Sequence, residues 1–214
     1  MSKRALIFVN GDLPDLDAAR RLLHPDDFNI AVDGGTRHLL TLGLLPSVVI
    51  GDLDSLDPAD HRTLQENQTE IIQHPKDKDE TDLELAINYA LDLGYRNLRL
   101  VAALGGRLDQ TLANLSLLAN PSLAELDVRI DDGIVEAFFI RRQAQIHGRT
   151  GEIVSLIPWG GDVTGIHTEG LRWPLQDEML VAHKTRGISN EILSEEATIS
   201  IRSGLLLCTH VRKI

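Results

Sequence analysis

Residues 48–55 read Val48-Val49-Ile50-Gly51-Asp52-Leu53-Asp54-Ser55 (VVIGDLDS), a β-branched apolar triplet running straight into two carboxylates one residue apart. The triplet predicts a buried strand, and the carboxylates stand at its mouth. On extended backbone alternate side chains point the same way, so Asp52 and Asp54 are expected to aim at a common point. Two like charges placed so repel unless a cation lies between them. A hard divalent ion such as Mg²⁺, held by one or two carboxylates plus substrate phosphates, resolves the conflict. The same letters also read as a polar turn in which Asp54 or Ser55 caps the next helix, and the fragment alone leaves both readings open.

Outward from this stretch, short apolar runs alternate with helical patterns, the signature of a parallel sheet wrapped by helices. Strands are expected at ALIFVN, FNIAVD, SVVIGD, TEIIQH and NLRLVAAL, with helices near residues 15–23, 35–43, 57–66, 81–94 and 108–119. Thr81-Asp82-Leu83-Glu84 is a capping box, followed by apolar Leu83, Ala86, Ile87, Ala90 and Leu91 at helical spacing. After NPSLAELDVRIDDGIVEAFFI the pattern changes to short β-like runs broken by glycine and proline: GEIVSLIPWGG, DVTGIHTEGLRWPL, ATISIRS and LLLCTHV. The expected fold class is α/β: an N-terminal parallel-sheet α/β domain over residues 1–142, then a smaller all-β domain over 143–214.

Composition narrows the function. At 214 residues and 43% hydrophobic content the chain has enough apolar material for a full core. No run reaches the length of a membrane span and the first residues do not resemble a signal peptide, so the expected location is cytoplasmic, with no membrane partner. A formal net charge of −11 argues against a nucleic-acid partner. The single Cys208 sits in the apolar run GLLLCTH and reads as a core residue. The eight histidines lack metal-ligand spacing, which argues against zinc.

Polar clusters follow each expected strand: Asn10-Gly11-Asp12, Asp33-Gly34-Gly35, Asp52-Leu53-Asp54-Ser55, the loop from His74 to Asp79, and Gly105-Gly106-Arg107-Leu108-Asp109-Gln110. The carboxyl ends of the strands are where open α/β sheets bind ligands. Gly34-Gly35 and Gly105-Gly106 read either as turn residues or as phosphate-accepting amides ahead of helices. Arg107 is a candidate phosphate clamp and Lys78 a point charge, although the surrounding KDKDE also reads as a solvated loop. Asp82 reads as a complement to the helix dipole or as a third metal-side carboxylate. No Walker loop and no Gly-x-Gly-x-x-Gly follows the first strand, so the residues alone point to a Mg²⁺-dependent enzyme acting on a phosphate-bearing nucleotide.

The ordered set NGD, DGGTRHLL, LLPSVVIGDLDS, HPKDKDETDLELAI, GGRLDQTLANL, GEIVSLIP, GLRWPL and ISNE resembles the thiamine pyrophosphokinase (thiamine diphosphokinase) family over nearly the whole chain. The resemblance implies transfer of the terminal pyrophosphate of ATP to the hydroxyethyl group of thiamine, releasing AMP, with Mg²⁺. It also implies that the second domain is a β-sandwich and that the protein is a homodimer with active sites shared between subunits. Carried over by position, it makes Asp52, Asp54 and Asp82 the catalytic, metal-side carboxylates. Asn10, Asp33, Gly34, Gly35, Lys78, Arg107, Asp109 and Gln110 become ATP or phosphate contacts, and Trp173, Ser189 and Asn190 the thiamine contacts. Gln110 stands where many bacterial members carry histidine and animal members commonly glutamine, so no proton-transfer role is implied there. Trp159 replaces a smaller apolar residue and reads as packing.

Electrostatics agree with the resemblance. An acidic chain favours the cationic thiazolium of thiamine, while Mg²⁺ makes ATP acceptable to the same site. Two other classes carry similar features: a nucleotide-sugar transferase, which also holds metal and diphosphate with Asp-x-Asp, and a nucleotide-sensing regulatory domain. Release of AMP separates the family reading from both.

Overall fold

The computed structural model describes residues 3–213, and the chain divides into two units, one ending at Gly133 and the other beginning at Ile134. This division precedes the change of sequence pattern at 143. The run Val135–Ile140 has the apolar look of an α/β strand, yet it pairs antiparallel with Leu206–Val211 in the second unit.

The first unit contains strands β1 (Arg4–Phe8), β2 (Phe28–Val32), β3 (Val48–Gly51), β4 (Glu70–Gln73), β5 (Asn97–Val101) and β6 (Asp127–Asp131). Helices α1 (Leu16–Leu22), α2 (Thr36–Thr41), α3 (Pro58–Glu66), α4 (Asp82–Asp92) and α5 (Leu108–Leu118) connect them. The strand order is β6-β5-β1-β2-β3-β4 with every pairing parallel. The winding reverses between β1 and β5, and a crevice is expected outside the carboxyl ends of the strands at that reversal.

The central strands are apolar because both faces are covered: Leu6, Ile7, Phe8, Val48, Val49 and Ile50 are at most 1% exposed. Leu6, Phe8, Leu39, Val49 and Leu64 share one cluster, each contributing about 1.5–3 kcal/mol of burial energy. Helix starts are fixed by side chains. Thr81 Oγ1 accepts from the Glu84 N–H at 3.2 Å to open α4, as the capping box predicts. Asp57 Oδ1 accepts from the Ala59 N–H at 2.8 Å to open α3, with Pro58 in the first turn. Asp54 and Ser55 do lie in a turn, but neither caps that helix, so only the capping part of the alternative reading of VVIGDLDS is removed.

The second unit contains β7 (Val135–Ile140), β8 (Gln143–His147), β9 (Ile153–Pro158), β10 (Val163–Glu169), β11 (Gln176–Leu180), β12 (Asn190–Glu191), β13 (Glu196–Ser200) and β14 (Leu206–Val211). They run antiparallel in the orders β12-β9-β14-β7 and β11-β10-β13-β8. Phe138, Leu156 and Cys208 from the first group share a core with Ile146, Ile166 and Ile199 from the second, making a β-sandwich. GLRWPL, expected to continue a strand, instead bends, with an isolated bridge between Leu171 and Ile192. Pro174 has no N–H to donate to a ladder there. Trp159 packs edge-on against Phe139 with ring centroids 5.5 Å apart.

One buried charge group ties the end of β14 to the loop before β9. The Glu152 carboxylate accepts from the backbone N–H groups of Arg149 and Lys213 at 3.0 Å each and lies 2.8 Å from His210 Nε2. Among the described residues, no helix is long and apolar enough to cross a membrane.

Candidate active site

The carboxyl ends of the parallel strands enclose a cavity of about 510 Å³ in the first unit. Its walls come from the segments after β1, β2, β3, β4 and β5, the five polar clusters that the sequence places at strand ends. Several of these segments leave their strand through left-handed backbone: Asp33 has φ 45°, Leu53 φ 67° and Ala102 φ 55°. Such conformations cost a non-glycine residue about 1–3 kcal/mol and cluster at functional sites.

The turn at Asp33 depends on close approach. A Cβ on Gly35 would lie 2.1 Å from the Phe8 carbonyl oxygen, and one on Gly51 would lie 2.2 Å from Asp33 Oδ1. The two glycines thus let the Asp33–Gly35 turn press against β1 and let the Asp33 carboxylate sit over the end of β3. There Asp33 Oδ1 accepts from the Leu53 N–H at 2.8 Å.

Asp33, Asp52 and Asp82 converge, each offering a carboxylate oxygen within 4.8 Å of the others. Asp33 is buried and Asp52 and Asp82 are half-buried. The Asp33 carboxyl is pushed up to about 7, first by burial and then by the charges of Asp82 and Asp52, against the opposing Leu53 N–H. One Asp82 oxygen, Oδ1, is buried with no hydrogen-bond partner. The Lys78 ammonium lies 2.8 Å from that oxygen as an ion pair, while Lys78 donates its hydrogen bond to the Pro75 carbonyl at 3.0 Å. Lys78 is therefore drawn into the acidic group rather than left in a solvated loop.

The expected Asp52–Asp54 pairing is not what converges. β3 ends at Gly51, and the left-handed Leu53 breaks the alternation on which that expectation rests. The Asp54 N–H turns back to Asp52 Oδ1 at 3.0 Å, and the Asp54 carboxylate pairs with Lys76 at 2.5 Å at the exposed edge of the cavity. Hydrogen bonds from Lys76 and Ser55 hold the Asp54 carboxyl below the usual carboxylate range.

Across the cavity stands the start of α5. Arg107 forks onto Asp109, with Nε to Oδ1 at 3.1 Å and Nη2 to Oδ2 at 2.5 Å. This pairing raises the Arg107 pKa and lowers that of Asp109. Arg107 and Gln110 line the cavity; Asp109 does not. Asn10, Asp33, Asp52, Asp54, Lys78 and Asp82 line it, whereas Gly34 and Gly35 are buried and do not. The Gly106 N–H, one of the amides expected to be free for phosphate, donates to Asp12 Oδ2 at 3.0 Å.

Among the lining residues that the sequence left without a role are Lys76 and Asn114. Lys76 sat unweighed inside KDKDE, and Asn114 lies one helical turn after Gln110, where a polar residue on an apolar helix face was the available signal. Asn114 is buried and its Nδ2 donates to the Ala103 carbonyl at 2.8 Å, fixing α5 to the segment after β5.

In the second unit the structure brings Trp173 and Asn190 together. The Trp173 N–H donates to Asn190 Oδ1 at 3.0 Å, and Asn190 Nδ2 donates to the Trp173 carbonyl at 2.7 Å. Ser189, at φ 62°, is anchored by its N–H to Ser155 Oγ at 3.0 Å.

Residues 19–130 match the family described as "Thiamin pyrophosphokinase, catalytic domain", and residues 140–206 that described as "Thiamin pyrophosphokinase, vitamin B1 binding domain". The chain is 28% identical over 180 residues to the thiamine pyrophosphokinase of Bacillus subtilis (strain 168), covering 83% of this chain and 84% of that protein. A crystal structure of the thiamine pyrophosphokinase from Bacillus subtilis superposes with a TM-score of 0.89 at 25% identity, over 99% of this chain and 100% of that one. One from Geobacillus thermodenitrificans superposes at 0.84 and 26% identity, over 98% of each chain. With both halves matched in order and a fold shared over nearly its whole length, the chain belongs to the thiamin pyrophosphokinase family of enzymes.

Proposed function

We propose that the protein catalyses Mg²⁺-dependent transfer of the terminal pyrophosphate of ATP to the hydroxyethyl group of thiamine, giving thiamine diphosphate and AMP. The observation that carries this reading is the convergence of Asp33, Asp52 and Asp82 in one cavity with Lys78 and Arg107. The donor set fits a hard divalent cation. All three groups are oxygen donors, the buried Asp82 Oδ1 is answered by the Lys78 ammonium alone, and burial together with the like charges of Asp82 and Asp52 pushes the Asp33 carboxyl up to about 7 against the Leu53 N–H. Asp33, Asp52 and Asp82 would hold the ion, which when bound offsets charge on the phosphates of ATP.

The chain's own part is placement. Lys78 and Arg107 offer point-charge and forked donors for phosphate oxygens. In-line attack by a primary alcohol needs orientation and charge stabilisation, with little covalent work for the protein. Asn10 and Gln110 contribute uncharged polar groups to the wall, and Asn114 keeps the start of α5 in place. Asp54 stands at the edge of the cavity, where it holds Lys76, a further cation available to phosphate. Trp173, Ser189 and Asn190 serve thiamine. The reaction calls for a compartment supplying ATP and free Mg²⁺, in keeping with a cytoplasmic location.

The test is to incubate the protein with ATP, Mg²⁺ and thiamine and identify both products. Thiamine diphosphate and AMP in equal amounts are expected; ADP with thiamine monophosphate, or no turnover, contradicts the reading. We further propose a homodimer with active sites shared between subunits. Asp52→Ala and Trp173→Ala chains, each inactive alone, should recover about a quarter of wild-type activity when refolded together, because half the dimers are mixed and each carries one intact site. Demonstrated mixing without recovery contradicts sharing.

A further inference from the structure

Resting on the proposed thiamine reading of Trp173, we infer that Asn190 acts through that tryptophan rather than on the ligand, as a positioning residue. Asn190 Oδ1 receives the Trp173 N–H at 3.0 Å and the Glu191 N–H at 2.9 Å, so both of its acceptor sites are engaged. Its Nδ2 donates to the Trp173 carbonyl at 2.7 Å. One side-chain amide thereby mimics a paired strand and holds both backbone groups of Trp173, just past the isolated Leu171–Ile192 bridge.

Asn190 itself is fixed. It is 9% exposed and lies in β12 opposite Val154 of β9, within the sandwich. Trp173, by contrast, is 53% exposed, with a cation over its ring. The Arg172 guanidinium sits 5.2 Å from the ring centroid, and Arg172 is in turn held by Glu191 at 2.9 Å. Asn190 sets the backbone, Glu191 sets the arginine, and the arginine covers one face. A planar ring would then stack on the other.

The assignment separates positioning from contact and from mere stability. Asn190→Ala should raise KM for thiamine about tenfold, with kcat and the KM for ATP within about twofold of wild type. Asn190→Asp keeps the acceptor for the Trp173 N–H and should recover part of that loss. In a Trp159→Phe background, where Trp173 is the sole indole, Asn190→Ala should lower the fluorescence anisotropy of the ligand-free protein. Arg172→Ala should increase quenching of Trp173 by acrylamide.

If Trp173→Ala turns over thiamine like wild type, the thiamine site of the proposed function falls and this inference with it. If Trp173→Ala is impaired but Asn190→Ala leaves thiamine KM and Trp173 anisotropy unchanged, this inference alone is wrong. It is also wrong if Asn190→Ala raises thiamine and ATP KM equally while lowering the melting temperature.

Discussion

Asp33 in the α/β unit and Glu152 in the sandwich are both withdrawn from water, at 8% and 3% exposure, yet their carboxyls are displaced in opposite directions. Burial pushes both up. At Asp33 the neighbouring Asp82 and Asp52 push further, to about 7, and only the Leu53 N–H resists. At Glu152 the N–H groups of Arg149 and Lys213, with His210, outweigh burial and hold the carboxyl below the usual range. The sandwich completes the hydrogen bonds of its buried charge and spends it on structure. The strand ends leave theirs incomplete, which is the condition for binding something that is not protein.

The largest effect that could break this contrast is expected at the satisfied carboxylate. Glu152→Ala leaves His210 buried and two backbone donors unanswered, and should cost about 3–5 kcal/mol in urea unfolding. A loss below about 1 kcal/mol would mean that the network is not structural.

The unsatisfied carboxylate should behave in the opposite sense. Because the folded Asp33 carboxyl lies near 7 and an unfolded one near 3.8, folding takes up a proton between those values. The stability of the cation-free protein should therefore fall as pH rises from about 4 to 7 through this group. Asp33→Asn removes the charge and keeps an acceptor for Leu53. At pH 7.5 without divalent cations it should be more stable than wild type by on the order of 2 kcal/mol, a gain that vanishes near pH 4. Equal stability at both pH values would contradict the strain assigned to Asp33.

A smaller effect sharpens the division of labour within the cavity. Arg107→Ala should raise KM for ATP about tenfold and leave that for thiamine near wild type. The reverse pattern would place Arg107 on the other substrate.

The fold was largely legible. β1 to β5 and α1 to α5 fall where apolar runs, helical spacing and the Thr81 capping box put them, because local pattern and tertiary burial agree there. The site was legible at the level of strand ends and less so at the level of atoms. Asp52 and Asp54 are neighbours in sequence, but a single left-handed residue, Leu53, turns Asp54 out toward Lys76. Asp33 and Asp82 are far apart in the chain, and only the parallel order of β2 and β3 with α4 packed nearby brings them to Asp52. Gly34 and Gly35 permit close packing and do not line the cavity, and Asp12 takes the Gly106 N–H. Such outcomes depend on long-range approach, which no local spacing encodes.

Turnover is proposed to depend on a cation held by Asp33, Asp52 and Asp82. Mn²⁺, used as a paramagnetic stand-in, can be titrated with ATP present into wild type and Asp52→Asn at pH 7.5, with bound ion read by electron paramagnetic resonance and turnover measured on the same samples. Wild type should show saturable bound Mn²⁺ that tracks turnover, and Asp52→Asn should lose both by about a hundredfold while staying folded. A variant that binds Mn²⁺ and turns over thiamine like wild type would contradict the account.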